Sequence, residues 1–214
     1  MFIIVEGNIG SGKTTLCQQL QHTKFNKPHK ILLEQVDVWL TNTGEDGKSI
    51  LSHYYEDPKR YSFTFQTYVL LQRINYMLDM KSKHPDTIFI CERSHLTDLH
   101  IFARNCYDMG NMNQIEWNTY IETQNCLQKL CPSIDGIIYN KADVEVCYNR
   151  INQRARKGES NISKDYLSSL ENRHEEWFKL ETVPILTLNG NIDVSDSERE
   201  NQLNKIVDWI NKMI

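Results

Sequence analysis

The stretch Phe2-Ile3-Ile4-Val5-Glu6-Gly7-Asn8-Ile9-Gly10-Ser11-Gly12-Lys13-Thr14-Thr15 decides how this chain is read. Phe2–Val5 is an unbroken apolar run of the kind that forms a buried strand; Gly7 ends it, and helical spacing follows from about Lys13 to Gln21. Gly7-Asn8-Ile9-Gly10-Ser11-Gly12-Lys13-Thr14 fits G-x-x-x-x-G-K-[ST] at every specified position. Glycines let the backbone turn tightly and aim N–H groups at phosphate oxygens. The helix behind adds the positive end of its dipole, Lys13 a point charge and Thr14 a hydroxyl for Mg²⁺. A strand before and a helix after supply the context this motif needs. It points to a nucleoside triphosphate with Mg²⁺ and says little about the fate of the phosphate.

Outward from that turn the pattern repeats. Apolar runs at Ile31–Leu33, Ile88–Cys91, Gly136–Tyr139 and Pro184–Leu188 alternate with helical spacing near 58–81, 95–107, 114–130, 143–154 and 163–180, and a final helix closes the chain. Five apolar strands among helices predict an α/β fold, a five-stranded parallel sheet flanked by helices, in one domain spanning 1–214. Ligands of such sheets sit at the carboxyl ends of the strands, where this sequence puts Gly7, Glu34, Glu92 and Asn140. Thr41–Lys48 and Arg156–Asn161 are polar, glycine-containing segments and are expected to be mobile loops.

Composition narrows the class. The 214 residues carry 24 Lys plus Arg against 28 Asp plus Glu, a net charge of -4, without the basic excess of a phosphate-backbone binder. With 40% hydrophobic residues the chain is neither disordered nor fibrous, and no apolar run approaches the roughly 20 residues of a membrane span. Six scattered cysteines without a C-x-x-C pair read as reduced thiols. Asn161-Ile162-Ser163 matches a glycosylation sequon, but the N-terminus lacks a signal-like series, so a cytoplasmic protein is expected.

Several phosphate-loop classes remain: a GTP-binding switch, a motor ATPase, a nucleoside monophosphate kinase and a nucleoside kinase. Asn140-Lys141-Ala142-Asp143 fits the guanine-reading N-K-x-D element, yet no D-x-x-G accompanies it; the other reading is a polar turn with Asp143 as helix cap. Glu34 and Glu92-Arg93-Ser94 weigh more. A carboxylate at a strand end can accept a proton from an attacking hydroxyl, a second can hold the Mg²⁺ shell, and an adjacent Arg can stabilise the transition-state charge.

Gly7–Thr15, Glu34-Gln35-Val36-Asp37-Val38-Trp39, Tyr55-Glu56-Asp57-Pro58, Arg60–Tyr68, Glu92-Arg93-Ser94 and Arg154-Ala155-Arg156 occur in the order seen in deoxynucleoside kinases. The chain resembles the branch holding deoxycytidine and deoxyguanosine kinases, over about residues 3–190. The resemblance implies a P-loop nucleoside/nucleotide kinase fold and transfer of the γ-phosphate of ATP, with Mg²⁺, to a deoxynucleoside 5′-hydroxyl. It makes Glu34 the general base, with Arg93 and Lys13 stabilising charge and Glu92 organising Mg²⁺ with Thr14. ATP would lie on Gly7, Asn8, Ile9, Gly10, Ser11, Gly12, Lys13, Thr14 and Thr15. Arg150, Arg154 and Arg156 would close on its phosphates from a lid at about 154–161. Gln66 would read the base, Phe102 stack on it, Trp39 and Phe65 wall the pocket, and Tyr55 and Glu159 hold the sugar 3′-hydroxyl. Without the resemblance, each aromatic reads equally as core and Glu159 as an exposed loop acid. Arg73 and Asp98 match a pair near the base edge that would favour deoxycytidine or a purine deoxynucleoside over thymidine. Val69 looks more like broad-range relatives, and Tyr54 departs from the smaller residues common there, leaving the base preference open. A homodimer through 58–81 and 111–130 and feedback by a deoxynucleoside triphosphate are further implications of the family; composition argues against a membrane or a nucleic-acid polymer as partner. A nucleoside monophosphate kinase is the nearer alternative, a GTP switch the more distant.

Overall fold

A computed structural model describes residues 1–156, 159, 162–193 and 197–214. Five parallel strands, β1 (Phe2–Glu6), β2 (His29–Leu32), β3 (Ile88–Glu92), β4 (Gly136–Lys141) and β5 (Ile185–Asn189), form one sheet in the order β2-β3-β1-β4-β5. Strand β1 is central, so its apolar alternation feeds both faces. Ile3 and Val5 pack on one face with α1 (Lys13–Leu20) and α10 (Ser197–Asn211), whereas Phe2 and Ile4 pack on the other with Met77, Phe89, Leu170 and Trp177. Burial on both faces is why the strands read as continuous apolar runs. Chain connections leave β1 toward β2 and β3 on one side and β4 and β5 on the other, and the crevice at that reversal is the expected ligand position.

Between the strands lie α2 (Val36–Thr41), α3 (Ile50–Glu56), α4 (Pro58–Lys83), α5 (His95–Thr97), α6 (Arg104–Asp108), α7 (Gln114–Gln128), α8 (Val144–Arg154) and α9 (Lys164–Leu180). Helix α4, about 39 Å long at 1.5 Å per residue, starts with Pro58 in its first turn, and the Asp57 side chain accepts from the Arg60 N–H at 3.2 Å. A π-helical segment, Asp98–Ala103, joins α5 to α6. Such segments often sit at functional sites, and this one carries Asp98 and Phe102.

The structure corrects several expectations drawn from periodicity. Helices α2 and α3 were not anticipated; at 6 and 7 residues they are too short for a clear repeat and are held by packing. The expected loop Thr41–Lys48 starts at the end of α2 and makes a hydrogen-bonded turn, with Gly44 N–H on Lys48 C=O at 3.0 Å and a bridge between Thr43 and Ser49. Strand β2 starts earlier, at His29, because its register is set by pairing with Ile88 onward. Strand β4 runs through Asn140, which therefore lies inside the sheet. Of the expected lid, residues 157, 158, 160 and 161, including Asn161 of the sequon, fall outside the described residues. Among the described residues no helix is long and apolar enough to cross a membrane.

Candidate active site

The turn after β1 needs its glycines for space as well as for backbone angle. A Cβ on Gly7 (φ 147°) would stand 2.6 Å from the Asn140 carbonyl oxygen, and one on Gly10 (φ 79°) 2.5 Å from that of Cys147. Asn140, 1% exposed, donates its side-chain N–H to Ser11 C=O at 2.6 Å, bracing the loop from β4. Asn8 is tied to α9 by its amide, which donates to Leu167 C=O at 2.8 Å. Asn140 is thus occupied in support; Lys141 pairs with Glu175 at 2.6 Å, and Asp143 accepts from Asn191 at 2.9 Å rather than capping α8. The three polar side chains of N-K-x-D are thus each engaged within the protein. Lys13 donates to Asn8 C=O at 2.7 Å, and burial pushes its ammonium down to about 8, the Arg93 charge adding to the effect.

Beside the loop a cavity of about 570 Å³ is lined by every predicted site residue except Gly7, Asn8 and Ser11 of the loop itself. Thr14 donates its hydroxyl to Glu92 Oε1 at 2.7 Å, and the Glu34 N–H reaches Glu92 Oε2 at 3.5 Å. Glu34 stands between two guanidiniums: Arg73 Nη2 at 2.9 Å and Arg93 Nε at 3.3 Å from Oε1. Burial opposes its ionisation, but the Arg93 and Arg73 charges outweigh that and hold the carboxyl below its ordinary range. Arg93 has φ 66°, a conformation that costs a non-glycine residue about 1–3 kcal/mol and clusters at functional sites. Its guanidinium is 3% exposed and lies 4.7 Å above the Phe102 ring, and among the described residues Nε and Nη1 make no hydrogen bond.

Deeper in the cavity Arg73 grips Asp98 through Nε at 2.9 Å and Nη2 at 3.2 Å, while Nη1 donates to Glu92 C=O at 3.3 Å. Burial lifts Asp98 to about 6 against the pull of Arg73. Phe65 stacks on Tyr54 with centroids 4.7 Å apart and meets Trp39 edge-on at 5.7 Å; Gln66 is buried with its amide 3.9 Å from Cys106 Sγ. Tyr55 lines the same wall.

At the mouth, Glu159 is 6% exposed and pairs with Arg154 at 2.6 Å and Arg156 at 3.3 Å, so it is not the exposed loop acid its sequence context suggests. Arg150 lines the cavity but donates to the carbonyls of Gly190, Asn191 and Ile192 at 2.7, 3.2 and 3.2 Å, holding the segment after β5 against α8.

Three groups in or under the cavity escaped the sequence reading. Tyr166 lines it and places its hydroxyl 3.4 Å from that of Tyr54, a contact across 112 positions that no local signal encodes. Glu6 and His174 lie beneath Arg93; an acid closing an apolar strand was the available clue for Glu6.

A deoxynucleoside kinase family model matches residues 3–214. The chain is 34% identical to a probable deoxycytidine kinase of Fowlpox virus (strain NVSL), covering 99% of this chain and 88% of the relative. It is 33% identical to the deoxycytidine kinase of Homo sapiens, covering 99% and 91%. With the mitochondrial deoxyguanosine kinase of Xenopus laevis identity is 32%, covering 90% and 82%.

Proposed function

The chain belongs to the deoxynucleoside kinase family, an ATP-dependent phosphotransferase family with a P-loop kinase fold, and from that premise we propose how its residues divide the work and which base it prefers. The nucleoside 5′-hydroxyl lies against Glu34, which accepts its proton as the oxygen bonds to the γ-phosphorus and the bond to the β-phosphate oxygen breaks, releasing ADP. The transition state of such a transfer is loose, so a carboxylate held ionised mainly has to orient the hydroxyl and receive its proton late. Arg93 and Lys13 flank the same space and meet the charge on the transferred group. The observation that carries this reading is the buried Arg93 guanidinium at the cavity wall, 3.3 Å from Glu34 Oε1, a fixed positive charge beside the carboxylate where the transferred phosphoryl group would gather negative charge.

Thr14 and Glu92 supply two hard oxygens 2.7 Å apart at the cavity wall, a fit for Mg²⁺, which commonly takes one or two protein oxygens together with substrate phosphates and water. The chemistry that ion supplies when bound is neutralisation of phosphate charge. The loop from Gly7 to Thr15, with Arg150, Arg154 and Arg156, receives the nucleotide; Tyr55 and Glu159 serve the sugar. Gln66, Phe102, Trp39 and Phe65 serve the base.

The acceptor is deoxycytidine or a purine deoxynucleoside in preference to thymidine. Arg73 and Asp98 present a charged polar edge where a thymine methyl would be crowded. The names of the relatives, deoxycytidine and deoxyguanosine kinases, support deoxycytidine and a purine deoxynucleoside as acceptors. A homodimer through α4 and α7 rests on the family resemblance; Leu71 and Ile115, 45% and 77% exposed, lie on those helices. Incubation with labelled ATP, Mg²⁺ and each of the four deoxynucleosides should give most 5′-monophosphate from deoxycytidine or a purine; thymidine as the best acceptor would overturn the preference.

A further inference from the structure

The catalytic carboxylate sits inside a line of buried charges longer than the cavity itself. Beyond Arg93, away from Glu34, lies Glu6 at the end of β1, with Oε2 at 3.9 Å from Arg93 Nη1. Beyond Glu6 lies His174 on α9, with Nε2 at 3.5 Å from that same Oε2. On the other side of Glu34 come Arg73 and Asp98. The six groups alternate in sign if His174 is charged, and none has a side chain more than 17% exposed.

The hydrogen bonds around Glu6 and His174 narrow where the protons are. Thr97 Oγ1 accepts from the Ser94 N–H at 2.8 Å, so its own proton goes to Glu6 Oε1, which is thereby an acceptor. His174 Nδ1 is 2.8 Å from the Leu170 carbonyl oxygen, which can only accept, so Nδ1 carries a proton. Nε2 then faces a carboxylate, and a bare ring nitrogen there would set two lone pairs against each other. Among the described residues neither Nε2 nor Glu6 Oε2 makes a hydrogen bond elsewhere, and Oε2 has only the ion-pair contact with Arg93 besides. The ring faces are covered by Tyr139 at 5.7 Å and Phe178 at 5.8 Å, leaving the nitrogens as its polar outlets. The arrangement is satisfied when one proton lies between His174 Nε2 and Glu6 Oε2, and the Arg93 guanidinium on the other side of Glu6 favours leaving it on His174. Burial opposes the Glu6 charge, and His174 with Arg93 and Thr97 overcomes it, holding the acid below its ordinary range.

We propose that Glu6 and His174 are positioning residues for phosphoryl transfer: an ion pair beneath the site that fixes the guanidinium of Arg93 in its left-handed backbone conformation. Resting on the role given above to Arg93, this assigns a function to α9 that its distance from the substrate conceals. Glu34 loses its charge when it takes the hydroxyl proton, and Arg93 would then keep one protein carboxylate beside it, that of Glu6. Arg93 therefore stays in register with the transferred group while its other partner is neutralised. Both residues act through Arg93.

The test uses the full chain with ATP, Mg²⁺ and deoxycytidine. Glu6→Gln and the more remote His174→Gln should each lower kcat about 10- to 100-fold, the usual loss when the support of a catalytic group is removed, with both KM values within about threefold. In the unaltered protein at pH 7, ¹⁵N NMR should find both His174 ring nitrogens protonated, and in Glu6→Gln a single tautomer. This spectrum needs no variant to fold. A neutral His174 in the unaltered protein, kcat within twofold in either folded variant, or a rise in KM without a fall in kcat overturns the proposal. Arg93→Ala, run alongside, separates the two claims: if it turns over normally the role of Arg93 has failed, and if it is inactive while Glu6→Gln is normal only the positioning has.

Discussion

Replacing Arg73 by Met puts the buried polar floor under test, because the structure says which partner is left exposed to the loss. Arg73 holds two carboxylates, Glu34 at 2.9 Å and Asp98 at 2.9 Å, and its side chain is 9% exposed. Glu34 keeps Arg93 at 3.3 Å, whereas Asp98, 1% exposed at its side chain, has no other ion-pair partner among the described residues. Breaking a buried pair from one side costs about 3–5 kcal/mol. Asp98 limits that cost, since burial already lifts it to about 6 and without Arg73 it is protonated at neutral pH. A loss near 3 kcal/mol is expected, lowering Tm by about 6–12 °C for a chain of this size. Adding Asp98→Ala should then cost far less than Asp98→Ala does alone, giving a coupling energy of about 1–3 kcal/mol in the double-mutant cycle. The same pair, measured by competing deoxycytidine against thymidine, should move the ratio of kcat/KM toward thymidine by about tenfold, or 1.4 kcal/mol. Additive Tm changes together with an unchanged ratio would refute the reasoning, since the pair would then be neither coupled nor discriminating.

Two further expectations follow from the phosphate loop. Lys13 is charged below about pH 8 in the free protein and neutral above it, while bound phosphates favour its charged form. Triphosphate binding at pH 9 should therefore take up close to one proton and be about tenfold weaker than near neutrality, measured by calorimetry in buffers of different ionisation enthalpy; binding without proton uptake at pH 9 would contradict this. Asn140→Ala removes a buried 2.6 Å hydrogen bond to the Ser11 carbonyl, worth about 1–3 kcal/mol when the acceptor is left unpaired. It should raise KM for ATP and leave the discrimination between ATP and GTP unchanged; a selective change in GTP use would restore a base-reading role.

The sheet was legible because parallel strands covered on both faces write themselves as apolar runs, and Gly7–Thr14 located the site because a phosphate cradle restricts residue types along one contiguous turn. Strand ends brought Glu34 and Glu92 together for the same topological reason. What escaped was either short or distant in sequence. Helices α2 and α3 have too few turns to show a period, and the π-helical segment between α5 and α6 changes the facing of Asp98 and Phe102 without any residue type that announces it. Tyr166 reaches the cavity wall and His174 reaches Glu6 only because α9 packs on the sheet face that carries Phe2 and Ile4, with its first turn beside the phosphate loop. Asn140 to Asp143 shows a different limit: the sequence offered a guanine-reading element or a polar turn capped by Asp143, and neither describes Asn140, whose side chain supports the loop.

The central claim is that Glu34 activates the 5′-hydroxyl. Glu34→Gln preserves the size of the side chain and an oxygen acceptor for Arg73 while removing the proton-accepting charge. In folded protein, with ATP, Mg²⁺ and deoxycytidine saturating, single-turnover formation of the 5′-monophosphate should slow by about 10²–10⁴-fold, with nucleoside binding retained. A rate within a few-fold of the unaltered protein would contradict the account.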